Sequence, residues 1–253
     1  MILELTDQEI EDLISYRFAP ELPEKEGFKL VDFLNDSNLN SFLEKAEKQL
    51  RAEDIKVTAS IFMKRQAFLA VIYLFSMSAF NKQLDVSLKN ITLVNAFKNG
   101  AWLPEFHFVN KSVSVCQSEM RNEWRTDAIR HLFADSLFPI LDSVSKLVKI
   151  PKLILWENIA IYIYWLYEKV LREAADADLR ARSAEDFHYL IHLAPGTLFG
   201  NYHQNPLSRY FSNPVFLEES KSMIRVRKTC CFNFRTEGGD FCSTCPRVCK
   251  QQN

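Results

Sequence analysis

Five of the six cysteines lie at or beyond position 230, and the stretch "CCFNFRTEGGDFCSTC" alone holds four of them: Cys230 and Cys231 side by side, then Cys242 and Cys245. A C-x-x-C pair is a chelating unit shared by zinc sites and iron–sulfur clusters. Gly238-Gly239 permits the tight backbone needed to return to a metal centre, and Pro246 stiffens the exit. Zinc sites draw on two spaced pairs, because one turn brings both sulfurs to a tetrahedron. Adjacent cysteines serve that geometry poorly, since in extended chain their side chains point to opposite faces. A binuclear cluster relaxes the demand. The spacing therefore favours a [2Fe–2S] cluster over zinc. Zinc stays open as an alternative, as does a redox-active dithiol at Cys242–Cys245, although no thioredoxin-like βαβ pattern surrounds that pair.

The thiols sit in basic surroundings. From Leu207 onward there are eight Lys and Arg against four Asp and Glu, although the whole chain carries −1. Arg225, Arg227, Lys228 and Arg235 flank the cysteines. They are candidate substrate-binding residues for an anion, with Arg227 and Arg235 foremost. The plainer alternative is that they hydrogen-bond cluster sulfurs or face solvent. A net charge of −1 supplies no general argument for nucleic acid.

These residues need a scaffold. Thr6 and Glu9 form a capping box that predicts a helix from about Asp7 to Tyr16. "PELPEKEG" reads as a loop, and Ser37 as the cap of an amphipathic helix. Residues 56–80 read as one long helix, apolar nearly all round in its second half and so buried from several sides. Asn99-Gly100 between "SLKNITLVNAF" and "AWLPEFHFV" predicts a β-hairpin near 88–109, with Pro104 placing the second strand at an edge. Residues 119–150 return to helical spacing, with Pro139 expected to kink or split the helix near Phe138. "LWENIAIYIYWLYEKVL" is another apolar helix, in which Trp156, Tyr162, Tyr164 and Trp165 read as core. Residues 194–214 read as a long ordered loop, and "KSMIRVRK" carries a weak strand signal.

The fold expected is α+β and mainly α-helical, with a short antiparallel β element and a C-terminal cluster segment. The divisions expected are a helical region over 1–55, a mainly helical body over 56–220 and a cluster-binding segment over 221–253. "MILELTDQEIEDLIS" has acids where a secretory leader needs a basic start and an apolar run, so the compartment expected is the cytoplasm, without stable membrane insertion. There, thiols are kept reduced and metal binding outranks structural disulfides. His188 and His192, His203 and Cys116 read as ordinary structural residues, and no Ser-His-Asp or paired-carboxylate pattern supports a hydrolase.

"CCFNFRTEGGDFCSTCP" resembles the C-terminal signature C-C-x10-C-x2-C of the FhuF-like ferric siderophore reductases. "RVRKTCC", "HLFADSLFPIL" and "LWENIA" are also similar to that family. The resemblance implies a [2Fe–2S] cluster held by Cys230, Cys231, Cys242 and Cys245, and a cytoplasmic enzyme that reduces siderophore-bound Fe(III), most often of hydroxamate type. Cys249 lies outside the four-cysteine pattern. The chemistry is consistent: siderophores hold Fe(III) through hard oxygen donors that grip Fe(II) far less tightly, so one electron releases the metal. None of the six glycines forms G-x-G-x-x-G, so the donor expected is a separate ferredoxin or flavoprotein rather than bound NAD(P)H. Two other classes stay open: a zinc-stabilised binding module, and an iron- or redox-sensing Fe–S protein without reductase activity.

Overall fold

The computed structural model describes residues 3–22, 27–116, 120–218 and 221–249. In chain order the elements are β1 (Leu3–Glu4), α1 (Asp7–Ile14), β2 (Phe18–Ala19), β3 (Gly27–Lys29), α2 (Asp36–Leu50), α3 (Ile55–Phe80) and β4 (Lys82–Leu84). Then come β5 (Ile91–Val94), β6 (Phe97–Lys98), β7 (Ala101–Trp102), β8 (Glu105–Phe108) and β9 (Ser112–Val115). The second half holds α4 (Arg121–Arg130), α5 (Phe138–Val148), α6 (Lys152–Trp165), α7 (Ala177–His188), β10 (Val215–Leu217) and β11 (Ser222–Ile224). The fold is α+β and mainly helical.

α3 is the axis of the protein. It is long and apolar enough to cross a membrane, but 89% of its most apolar eighteen-residue window is buried inside the fold. It packs along α6 and against α2, α5 and α7. Burial on several sides explains why its apolar residues ring the helix instead of forming a stripe. Asp54 caps it, its carboxylate accepting the N–H groups of Lys56 and Val57, both at 2.9 Å. The capping box at Thr6 and Glu9 is present as expected. The cap of α2 is Asn35, two residues before Ser37, because the Asn35 side chain reaches both the Ser37 and the Asn38 N–H.

The main sheet has the order β2-β8-β5-β3, with β8 antiparallel to β5 and parallel to β2. The hairpin at Asn99-Gly100 forms: β6 and β7 pair across two residues that both have positive φ, 52° and 77°. β8, however, is an inner strand. Pro104 stands immediately before it and removes no ladder hydrogen bond, so the edge expectation fails. β1, β9 and β4 form a second antiparallel sheet.

Three helices loosen into π-helical turns at their C-terminal ends, over 131–137, 166–171 and 189–193. The first explains Pro139. The Phe138 N–H reaches back to Phe133, five residues away, so the chain is already in a widened turn when it meets the residue with no N–H to give. The helix thus changes hydrogen-bonding pattern at Phe138. Trp156 and Tyr164 are core residues, whereas Trp165 is 39% exposed because it falls on the outer face of α6. Cys116 is half-buried.

Candidate metal centre

Residues 227–249 are held almost without regular structure, so other contacts must fix them. Glu157, buried on α6, accepts the main-chain N–H of Lys228 at 2.6 Å and of Thr229 at 2.7 Å, together with the Thr229 hydroxyl. Its neighbour Asn158, fully buried, accepts from Arg227 Nη2 at 2.6 Å and donates to the Ser60 carbonyl and hydroxyl oxygens, both at 2.9 Å. Ser60, on α3, donates its hydroxyl to the Cys231 carbonyl at 2.9 Å. The entry to the first cysteine pair is therefore pinned by buried polar groups of two core helices. Buried polar groups left unpaired are costly, so this arrangement allows little slack.

The return is built by a turn. Phe232 takes the left-handed conformation, φ 61°, and its N–H points at Cys230 Sγ at 3.4 Å. Gly238 has φ +66°, and Gly239 lies so close to the turn that a Cβ there would stand 2.1 Å from the Asn233 carbonyl. Arg235 ties the turn to the start of α3, with Nε to Glu53 at 2.7 Å and Nη2 to Asp54 at 2.8 Å. The Arg227 N–H donates to the Thr244 carbonyl at 2.9 Å and closes the loop onto the second pair.

These contacts set the thiols in two pairs. Cys231 and Cys242 have their Sγ atoms 3.9 Å apart. Cys245 lies near enough to Cys230 to help push its thiol up. Two thiolates on one tetrahedral metal, with metal–sulfur bonds of about 2.3 Å, lie about 3.8 Å apart. The Cys231–Cys242 spacing meets that figure. Among the described residues, no three His, Cys, Asp or Glu side chains converge as a single metal ion would need.

The electrostatics point the same way. The hydrogen bond shared with Cys242 lowers the Cys231 thiol against the opposing effect of burial, helped by the charges of Lys64 and Arg227, while the same hydrogen bond and burial push Cys242 up. Burial pushes Cys230 up, opposed by the Phe232 N–H. Arg227 is buried, and its Nη1 has no hydrogen-bond partner among the described residues. Arg65 Nε is in the same condition beside Cys231. Orphaned cationic donors facing thiols are what a buried anionic group would satisfy, so the residues present fit an all-thiolate cluster.

The four basic candidates are scattered. Arg225 grips Glu168 with two hydrogen bonds at 2.5 and 2.8 Å and lies over Phe211. Arg227 is buried, and its charge acts on Cys231, whereas Arg235 serves the α3 clamp. Lys228 alone is exposed, with Nζ on the Arg209 carbonyl at 2.6 Å. Cys249 is buried and donates to the Ser243 carbonyl at 3.2 Å. The His188 and His192 rings meet at a tilt, centroids 5.1 Å apart, far along the chain from the cysteines. Sequence reasoning passed over Glu157, Asn158 and Ser60. The signal was an acid and an amide side by side inside an otherwise apolar helix.

A tail that folds four thiols into two pairs under buried cations defines an iron–sulfur centre. Residues 227–247 match the family model of the FhuF 2Fe-2S C-terminal domain, and Cys230, Cys231, Cys242 and Cys245 fit its motif. The chain therefore carries a [2Fe–2S] cluster segment at this end. No curated protein matches the chain.

Proposed function

We propose that this protein is a cytoplasmic ferric siderophore reductase, acting on hydroxamate or citrate–hydroxamate chelates. Its cluster ligands are Cys230, Cys231, Cys242 and Cys245, with Cys231 and Cys242 on one iron and Cys230 and Cys245 on the other. The observation that carries this is the pairing of thiols, 3.9 Å apart in one pair, within the segment that matches the FhuF domain. When bound, the cluster supplies a one-electron carrier of low potential.

The chain's residues do the rest. Glu157, Asn158 and Ser60 hold the ligand strand, Arg227 and Lys64 favour the thiolate forms, and the Phe232 N–H turns toward Cys230. Cys230 lines a surface cavity of about 470 Å³ with Arg235 and Arg247, so electrons have a short way to solvent. Per turnover, one electron is taken from an external ferredoxin or flavoprotein and one is given to Fe(III) of the substrate. The chelate's oxygen donors take up protons as Fe(II) leaves. Each tenfold preference of the chelator for Fe(III) lowers the substrate's potential by about 59 mV, which calls for an all-thiolate carrier.

The test uses freshly purified protein and a ferric hydroxamate. Visible absorption that bleaches with dithionite, followed by Fe(II) capture in a colorimetric chelator when a reduced low-potential carrier is added, supports the proposal. A colourless zinc protein, or a coloured one that releases no Fe(II), refutes it. NADPH alone is expected to give no turnover, because no glycine-rich phosphate loop exists in the chain.

A further inference from the structure

A second surface cavity, of about 510 Å³, is lined by Lys152, Trp156, Tyr202, His203, Arg209 and Lys228. Its lining includes three cations and no acid. Lys152 is paired with Asp142 from outside the lining, and Lys228 is held at the Arg209 carbonyl. Among the described residues, the exposed Arg209 guanidinium makes no hydrogen bond or ion pair.

The cavity is rigid. Trp156 Nε1 donates to the Tyr202 hydroxyl at 2.9 Å, and the two rings meet edge to face. The Tyr210 hydroxyl donates to the Leu153 carbonyl at 2.8 Å. Gly196 brings the loop in so tightly that a Cβ would stand 2.6 Å from the Tyr202 carbonyl. Asn205 fixes the next turn, donating to the Leu190 carbonyl at 2.7 Å and accepting from the Leu207 N–H at 2.9 Å.

The cavity is also next to the thiols. Lys228 is two residues from Cys230, which bounds their Cα separation at about 7 Å. Trp156 lines the cavity while Glu157, next in the chain, holds the N–H groups of Lys228 and Thr229. One wall serves both sites.

We infer that this cavity, and not the opening beside Arg235, binds the substrate, and that the substrate is an anionic metal chelate bearing free carboxylate arms. This rests on the reductase reading above. The exposed His203 ring and the part-exposed Tyr202 ring can touch the organic shell of the chelate, and Arg209, Lys228 and Lys152 meet its carboxylates. A volume near 500 Å³ is in the range of small-molecule sites. Neutral hydroxamates gain only the aromatic contacts.

The experiment uses gallium(III) chelates, which match the iron(III) complexes in shape and charge but accept no electron, so binding is read apart from turnover. Titration of the cluster-loaded protein is followed by tryptophan fluorescence and by calorimetry. The gallium complex of a carboxylate-bearing hydroxamate is expected to bind about tenfold more tightly than a neutral one, the worth of one charge-assisted hydrogen bond. Arg209→Glu and Lys152→Gln are each expected to weaken the anionic complex about tenfold and leave the neutral one unchanged, with the visible spectrum intact. Arg172→Gln, in a separate cavity, is the control. Equal binding of the anionic complex to wild type and to both variants overturns the site while leaving the reductase reading in place. A protein that binds no chelate and releases no Fe(II) overturns both.

Discussion

Asn158 Oδ1 accepts the Arg227 guanidinium at 2.6 Å, at a point where both residues are almost wholly buried. This contact joins the second core helix of the fold to the residue that stands behind Cys231 and Cys242. Arg227 Nη1 is left without a partner among the described residues, so one end of the guanidinium is satisfied by the protein and the other is free for a cluster sulfur. Arg227→Gln is expected to lower the cluster potential by about 60 mV, because removing a nearby positive charge disfavours the more negative reduced state. Arg227→Lys keeps the charge and is expected to recover most of that shift. Redox titration followed by absorbance or electron paramagnetic resonance measures both. A potential that is the same in all three proteins would show that Arg227 only braces the strand.

The ligand pairing makes its own prediction. Serine at Cys230, Cys231, Cys242 or Cys245 is expected to lose or sharply destabilise the cluster, whereas Cys249→Ser leaves the visible spectrum nearly unchanged. Where cluster survives, Mössbauer spectra of Cys231→Ser and Cys242→Ser are expected to alter the same one of two iron sites, and Cys230→Ser and Cys245→Ser the other. If Cys230→Ser and Cys231→Ser altered one common site, the pairing would be wrong.

The turn between the cysteine pairs depends on Gly239 more than on Gly238. A Cβ at Gly238 meets nothing within 4 Å and costs only the strain of a positive φ, about 1 kcal/mol. A Cβ at Gly239 meets the Asn233 carbonyl and the Thr236 hydroxyl, at 2.1 and 2.4 Å. Gly239→Ala is expected to cost about 1–3 kcal/mol, as overpacking does, and to displace the chain leading to Cys242. Faster cluster loss to a chelator in Gly239→Ala than in Gly238→Ala, with little change in far-ultraviolet circular dichroism, is the expected result. Equal rates would mean that the turn yields freely.

Asp54 supplies a pH-dependent contribution. Burial alone would raise its carboxyl, but the Val57 N–H, the Arg235 guanidinium and the Lys56 N–H hold it below the usual aspartate range. A depressed carboxylate pKa stabilises the fold above the unfolded value and is lost as pH falls through the folded one, here below about pH 4. Asp54→Asn keeps a capping oxygen and loses the charge. Wild type is expected to exceed Asp54→Asn in urea midpoint at pH 7, and the difference is expected to close below about pH 4. A gap independent of pH would assign the effect to the cap and not to the Arg235 pair.

Much of this protein could be read in one dimension. The thiol spacing is a local pattern, and metal chemistry follows from residue type and short separation, so the cluster segment was legible in its residues alone. So were the capping box at Thr6, the long helix ending at Phe80 and the hairpin at Asn99-Gly100, because each depends on neighbours in sequence. What the basic residues do was not legible. Arg225, Arg227, Lys228 and Arg235 look alike along the chain, yet one grips Glu168, one is buried behind thiols, one edges a cavity and one clamps α3. Their partners lie up to 182 positions away, and only packing brings those partners near. Pro104 shows the same limit: whether a strand is inner or edge depends on Phe18–Ala19 arriving from far upstream to pair with it. Glu157 and Asn158 needed the fold most of all, since a polar pair in an apolar helix gains its meaning only when the cysteine strand is laid across it and its N–H groups leave water for the carboxylate.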